Sequence, residues 1–205
     1  MRSKQRWTVL IVLAAVAVIA GFKTFSNFFH KPIDSVAARS KGDPQAKVQI
    51  IEFIDFECPA CATGAQTLKE QMAKHPQDIR VQVKYFPLIR PHPHAMQVAA
   101  YSECAGRQGK FWEFQDLLLP QQKQWSVLLS AEPMFQNMAR EIGLDMGRLA
   151  KCVAAPETAR AIHEDQALGK SLGVQSTPTY FVNNKMIVGG KSLTDELNTH
   201  FPPSQ

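Results

Sequence analysis

The tetrapeptide Cys58-Pro59-Ala60-Cys61 constrains this chain more than any other feature. It follows the apolar run Val48 to Phe56 and precedes a helix-like stretch from Ala62 to Lys74. Two cysteines separated by two residues at a strand-to-helix junction are arranged for cycling between dithiol and disulfide. Both sulfurs then lie within bonding reach in the first helical turn. The first of them faces the unpaired amides and the positive end of the helix dipole. That favours its thiolate, the nucleophile of disulfide exchange. Half of a zinc site has the same spacing, but the other half is missing. Cys104 and Cys152 are far apart and neither belongs to a second CxxC.

A length of 205 residues suits one domain with a sizeable core and an inserted subdomain. The net charge of +5 is modest, and Arg2, Lys4 and Arg6 supply part of it at the extreme N-terminus. The body carries no basic run, so nucleic acid is not indicated. Met1 to Arg6 forms a positive start, and Trp7 to Phe22 is almost entirely aliphatic and uncharged. As a helix this run spans roughly 24 Å, between a signal-peptide core and a full membrane crossing. Phe25, Phe28 and Phe29 extend its apolar character. Residues 1–30 are therefore expected to be a cytoplasmic stub plus a signal anchor or transmembrane segment. The alternative is a signal cleaved after Val18-Ile19-Ala20, leaving a soluble periplasmic protein. In both cases the positive end stays in the cytoplasm and the remainder is exported.

Export changes the meaning of the other cysteines, because an oxidising compartment permits stable disulfides. The four cysteines divide into a redox pair, Cys58–Cys61, and a distant pair, Cys104 and Cys152. A bond between the latter would close a loop of 48 residues (152 minus 104) and stabilise by roughly 4 kcal/mol in the chain-entropy picture. The alternative is two buried free thiols.

Residues 31–47 are polar, with Pro32, Gly42 and Pro44, and read as a linker. Val48 to Phe56 reads as a strand covered on both faces, and Ile79 to Tyr85 as an alternating strand. Helices are expected over Ala95–Gln108, Phe111–Leu119, Pro133–Ile142, Asp145–Val153 and Glu157–Leu172, with Gly173 ending the last of them. Thr179–Val182 and Met186–Val188 form a hairpin through Asn183-Asn184-Lys185, and Ser192–His200 a closing helix. The order is βαβ, a helical block over about residues 92–172, then ββα.

This order resembles a thioredoxin-like α/β fold with the helical insertion of the DsbA-like thiol–disulfide oxidoreductases, over about residues 48–201. Three segments carry the resemblance. Glu52-Phe53-Ile54-Asp55-Phe56-Glu57-Cys58-Pro59-Ala60-Cys61 is similar to the active-site start of such domains. Gly173-Val174-Gln175-Ser176-Thr177-Pro178-Thr179 is similar to their cis-proline loop. Ala105 to Asp116 is similar to a helix junction in their insertion.

The resemblance implies that Cys58 is the exposed nucleophile and Cys61 the buried resolving thiol. Pro178 would be cis, with the backbone of Thr177 pairing with an extended substrate. Glu52 shares the strand face of Ile50 and Ile54, where burial raises a carboxyl pKa. The family uses an acid there to move the proton of the resolving cysteine. Asp55 falls on the opposite face and is assigned no catalytic role. Pro59 and Ala60 tune the redox poise. Oxidising members often carry histidine in the place of Ala60, so this pair should be less oxidising than a Pro-His pair. His92-Pro93-His94 reads as helix capping rather than as half a metal site. No metal and no bound cofactor are implied, since the CxxC pair holds the two electrons. The implied partners are cysteine-containing exported proteins and a membrane redox partner. That partner would be DsbB-type for an oxidase, or DsbD-type for a reductase or isomerase. A non-catalytic binding or chaperone module of the same fold is the competing class.

Overall fold

The computed structural model describes residues 35–202. The expected anchor, residues 1–30, and the start of the expected linker lie outside the described residues. Among the described residues no helix is long and apolar enough to cross a membrane.

The described chain opens with a short helix, α1 (Ser35–Ala38), and then supplies five strands to one sheet. They are β1 (Ser40–Lys41), β2 (Val48–Ile54), β3 (Ile79–Tyr85), β4 (Thr179–Val182) and β5 (Lys185–Val188), in the spatial order β1-β3-β2-β4-β5. β2 pairs parallel with β3 and antiparallel with β4. A parallel pair needs a crossover, and α2 (Pro59–Lys74) provides it. α9 (Gly190–His200) packs beside α2. In the β4–β5 hairpin Asn183 and Asn184 have φ of 46° and 73°, the left-handed pair that a two-residue turn of this kind requires.

Sequence pattern explains the layers. β3 alternates buried and half-buried residues along its whole length. β2 is covered on both faces. Val48, Ile50 and Ile54 join the main core with Cys61, Leu68, Val81 and Val83. Phe53 packs on the other face with Phe86 and Val174, meeting the rings of Phe86 and Phe181 edge-on at 6.2 and 5.9 Å.

The inserted subdomain comprises α3 (Ala95–Gly106), α4 (Phe111–Leu118), α5 (Gln122–Trp125), α6 (Glu132–Glu141), α7 (Met146–Val153) and α8 (Pro156–Ser171). The boundaries fall within a residue or two of the sequence expectation, apart from α5, which no periodicity announced. α3 is buried almost throughout. Its small residues let α4, α7 and α8 approach on separate sides. Cys104 of α3 and Cys152 of α7 form a disulfide, which removes the alternative of two free thiols. Gly169 of α8 lies against Phe53 and Phe86, and a Cβ there would come within 2.8 Å of the Phe86 ring.

The expected linker, residues 31–47, needs correction over its described part. α1 precedes Arg39, and β1 adds to the sheet edge with Ser40 opposite Gln82 and Lys41 opposite Val81. Arg39 is only 2% exposed. Its guanidinium donates to Val83 O at 3.0 Å and to Asp165, lies 3.4 Å from Glu103, and sits 4.4 Å from the Tyr85 ring centre. A polar composition concealed this, because the segment is fastened by a buried charge and its partners rather than by an apolar stripe.

Candidate active site

Cys58 takes the N-cap position of α2 in an extended conformation, and Pro59 opens the helix, where its missing amide costs nothing. The amides of Cys61 and Ala62 donate to Cys58 O at 3.0 and 3.4 Å. Both active-site sulfurs are thiols. Cys61 is wholly buried, while Cys58 is 9% exposed, less open than the expected nucleophile. α5 is the reason. Its Gln122 Nε2 donates to Phe56 O at 2.7 Å and to Cys58 O at 2.9 Å, drawing the insertion over the loop. Pro59 and Ala60 remain exposed. On the other side lies the Thr177–Pro178 loop, whose peptide bond is cis. The Cys58 sulfur lies 3.5 Å from Thr177 O.

The two thiols are electrostatically unlike. The Cys61 thiol donates a hydrogen bond to the Cys58 sulfur and outweighs the effect of burial. The Thr177 side chain and the amides of Cys61 and Ala60 add to it, so the Cys58 pKa falls to about 5. Burial, together with that same hydrogen bond and the negative charge of Cys58, pushes the Cys61 thiol well above its ordinary value. One sulfur is a thiolate at neutral pH and the other holds its proton.

Glu52 lies where strand parity placed it, on the face of Ile50 and Ile54, and is 1% exposed. Its neighbours across the sheet are Val83 of β3 and Tyr180 of β4. Burial raises its carboxyl pKa to about 8, with the nearby Tyr180 hydroxyl offsetting part of the effect. Glu52 Oε1 nevertheless has no partner in hydrogen-bonding geometry. The carboxyl also borders a cavity of about 810 Å³ between α2 and α4, lined by Ala65, Leu68, Trp112 and Gln115 among others. A protonated acid thus stands beneath the CxxC helix beside open space.

Residues to which the sequence assigned no catalytic role complete the site. Asp55, on the face opposite Glu52, is buried. Its carboxylate accepts from the amides of Glu57 and Leu88 at 2.9 and 2.8 Å and contacts His92 Nδ1 at 2.7 Å. The neighbouring Glu57 accepts from the amide of His94 at 2.7 Å, and His94 Nε2 lies 2.8 Å from Leu128 O. The His92-Pro93-His94 triplet therefore pins the insertion to the active-site loop. The parity of β2 could not show this, because Asp55 lies just past the strand end, where alternation lapses. Gln122 and Tyr180 left no local signal, since their roles depend on contacts 64 and 128 residues away (122 minus 58; 180 minus 52).

Residues 34–199 match the thioredoxin family. Among solved structures, DsbA2 of Pseudomonas aeruginosa is 26% identical, covering 79% of this chain and 93% of its own at a TM-score of 0.63. A thioredoxin-like oxidoreductase from Silicibacter pomeroyi DSS-3 is 24% identical, covering 83% and 98% at 0.66. Oxidised BdbD of Bacillus subtilis is 18% identical, covering 80% and 93% at 0.68; at these last two identities the likeness is one of fold. Curated relatives include the Na(+)/H(+) antiporter NhaA 3 of Salinispora tropica, 32% identical over 154 residues. The match covers 75% of this chain and 23% of that protein, so the chain spans about a quarter of the curated relatives' length. The chain belongs to the thioredoxin family, and its fold resembles that of DsbA2 with two free cysteines in a CxxC at the start of α2.

Proposed function

We propose that the protein is exported and oxidises cysteines in other exported proteins. The observation that carries this direction is the thiolate of Cys58, stabilised to a pKa of about 5. A stabilised thiolate favours the reduced form and makes the disulfide a better oxidant. The value falls between the roughly 7 of thioredoxin and the roughly 3.5 of DsbA, in keeping with Ala60 where an imidazolium would lower it further.

In the exchange, a substrate thiolate attacks Cys58 Sγ of the oxidised pair. The Cys58–Cys61 bond breaks, its electron pair goes to Cys61, and a mixed disulfide forms on Cys58. Glu52, protonated at neutral pH, gives its proton to the Cys61 thiolate. A second substrate thiolate attacks the substrate sulfur of the mixed disulfide and releases Cys58 as thiolate. The substrate has lost two electrons and the CxxC pair has gained them. During these steps the backbone of Thr177 pairs with the extended substrate beside Pro178. A membrane partner of the DsbB type then reoxidises the pair. Residues 1–30 hold the domain at the periplasmic face of the bacterial inner membrane. Sequence supports that placement through the positive start and the aliphatic run after it.

The reduction potential of Cys58–Cys61 tests the direction. A value well above roughly −200 mV fits an oxidase, whereas one near the roughly −270 mV of thioredoxin assigns a reductase with a DsbD-type donor. Membrane fractionation tests the placement. Recovery as a soluble species beginning near Gly21 would show a cleaved signal instead.

A further inference from the structure

The Tyr180 hydroxyl has no part in the steps above, and it is buried without a hydrogen-bond partner. Such a group destabilises a fold. A second unfavourable choice lies against it. Gly64 stands inside α2, where glycine is less favourable than alanine, and a Cβ there would collide with the Tyr180 hydroxyl. The missing side chain makes the notch that the hydroxyl occupies. Gly64 follows Cys61 by three residues, on the same face of the helix. Tyr180 is the β4 partner of Glu52. The hydroxyl therefore stands between the buried acid and the helical turn that carries the resolving thiol.

We propose that Tyr180 is a positioning residue for proton transfer, whose hydroxyl donates to the Glu52 carboxylate during the interval when Glu52 has given its proton to Cys61. This rests on Glu52 acting as the acid. While Glu52 is protonated, its orphaned oxygen and the orphaned hydroxyl need no particular arrangement. Ionisation turns the carboxyl into an acceptor-only group, and Tyr180 is the donor already placed across the strand pair. The proton balance is simple. Glu52 loses a proton to Cys61 and regains one from the solvent side of the cavity, while Tyr180 keeps its own proton throughout. Burial and the negative charge of Glu52 and Cys61 hold the phenol far above neutral pH, so it donates without ionising. The titratable groups facing the hydroxyl are Glu52 from β2 and Cys58 and Cys61 from α2. Val83 of β3 and Ile187 of β5, the other strand neighbours of the pair, carry no charge. Across the cavity, Lys69 is paired with Asp116 at 2.7 Å, and Lys41 also lines the wall.

The test is an NMR titration of the Glu52 carboxyl in the reduced full-length protein, with pH–rate profiles of exchange with glutathione. Tyr180→Phe removes only an unpartnered hydroxyl, so it should fold and be at least as heat-stable as the parent. It should raise the Glu52 titration by about one pH unit or more, as loss of a hydrogen bond to a charged group implies. The rate profile should move in the same sense. Gly64→Ala, which drives the hydroxyl from its notch, should give the same shift and serves if Tyr180→Phe does not fold. In a Glu52→Gln background Tyr180→Phe should change nothing further. A Glu52 titration unmoved by Tyr180→Phe overturns the proposal, whatever the change in stability. So does a rate effect that persists in Glu52→Gln. A distinct result, an unaltered pH profile in Glu52→Gln alone, removes the acid role of Glu52 and this inference with it.

Discussion

The Cys58 sulfur lies 3.5 Å from the carbonyl oxygen of Thr177, 119 residues further along the chain. The CxxC turn and the cis-proline loop are thereby held face to face. Cys61 sits behind Cys58 with no surface of its own.

That placement separates the two thiols by experiment. Cys58→Ser should abolish exchange with a reduced, cysteine-containing protein. Offered a disulfide-bonded protein, whose bond the Cys58 thiolate opens, Cys61→Ser should instead accumulate mixed disulfides, since the thiol that would release them is gone. Non-reducing gels followed by mass mapping read both. Trapped complexes in the first variant and not in the second would reverse the assignment.

Much of this was legible in the chain, for physical reasons that differ by element. The alternation of Ile79 to Tyr85 and the apolar run of Val48 to Ile54 carry their burial in their spelling, as do the glycine and proline stops between helices. Glu52 was legible because strand parity is local. Tyr180 was not, although its own strand was. Parity gives a face, but the register that sets it opposite Glu52 depends on the whole insertion between them. Gln122 and α5 were hidden because one turn of helix has no period to detect.

The dipeptide between the cysteines offers a second test. Ala60 is exposed beside the Cys58 thiolate. Replacing Ala60 by His adds a cation at the helix start and should lower the Cys58 pKa below its value of about 5, making the disulfide more oxidising. Titration of thiolate absorbance in both proteins measures it. An unchanged or higher pKa would show that this position does not set the poise.

The reduced protein should show two opposing pH effects on stability. The Cys58 pKa is depressed from 9.0 to about 5, so its contribution is full above pH 9 and is lost as pH falls through 5. The Glu52 pKa is raised from 4.5 to about 8, so its contribution is full below 4.5 and is lost as pH rises through 8. Between about 5 and 8 the two slopes have opposite sign, each at most about 1.4 kcal/mol per pH unit, and they largely cancel. Glu52→Gln should expose the rise with pH due to Cys58, and Cys58→Ser the fall due to Glu52. Urea unfolding across this range would show it, under reductant mild enough to keep Cys104–Cys152 closed. Parallel curves for all three proteins would refute the opposition.

The Cys104–Cys152 bond joins α3 to α7 across 48 residues. Opening it in a Cys104→Ala/Cys152→Ala variant should cost roughly 4 kcal/mol and leave the Cys58 pKa where it was, since neither sulfur is among its causes. Graded reduction with mass mapping should open Cys58–Cys61 first, since the stabilised Cys58 thiolate makes that disulfide the more easily reduced. Alkylation of Cys104 and Cys152 in unreduced protein would show that the bond does not form.

Arg39 supplies the last prediction, because it decides whether residues 35–41 are linker or domain. Its guanidinium is buried with Asp165 and Glu103, beneath which Lys84 and Arg107 hold second positions at 2.8 and 3.0 Å from the same carboxylates. Breaking a buried pair leaves an uncompensated charge and costs about 3–5 kcal/mol. Lys84 and Arg107 remain to compensate in part, so Arg39→Met should fall at the lower end of that range. Arg39→Met with Glu103→Gln should lose less than the sum of the single changes, since the stranded carboxylate is then neutral. Denaturant unfolding gives all four values. The same substitution should open the backbone before Ala46 to proteases while leaving the thiol chemistry of Cys58 intact. If Arg39→Met unfolds at the parent's denaturant midpoint, the segment is a tether after all, and the buried network does not fasten it.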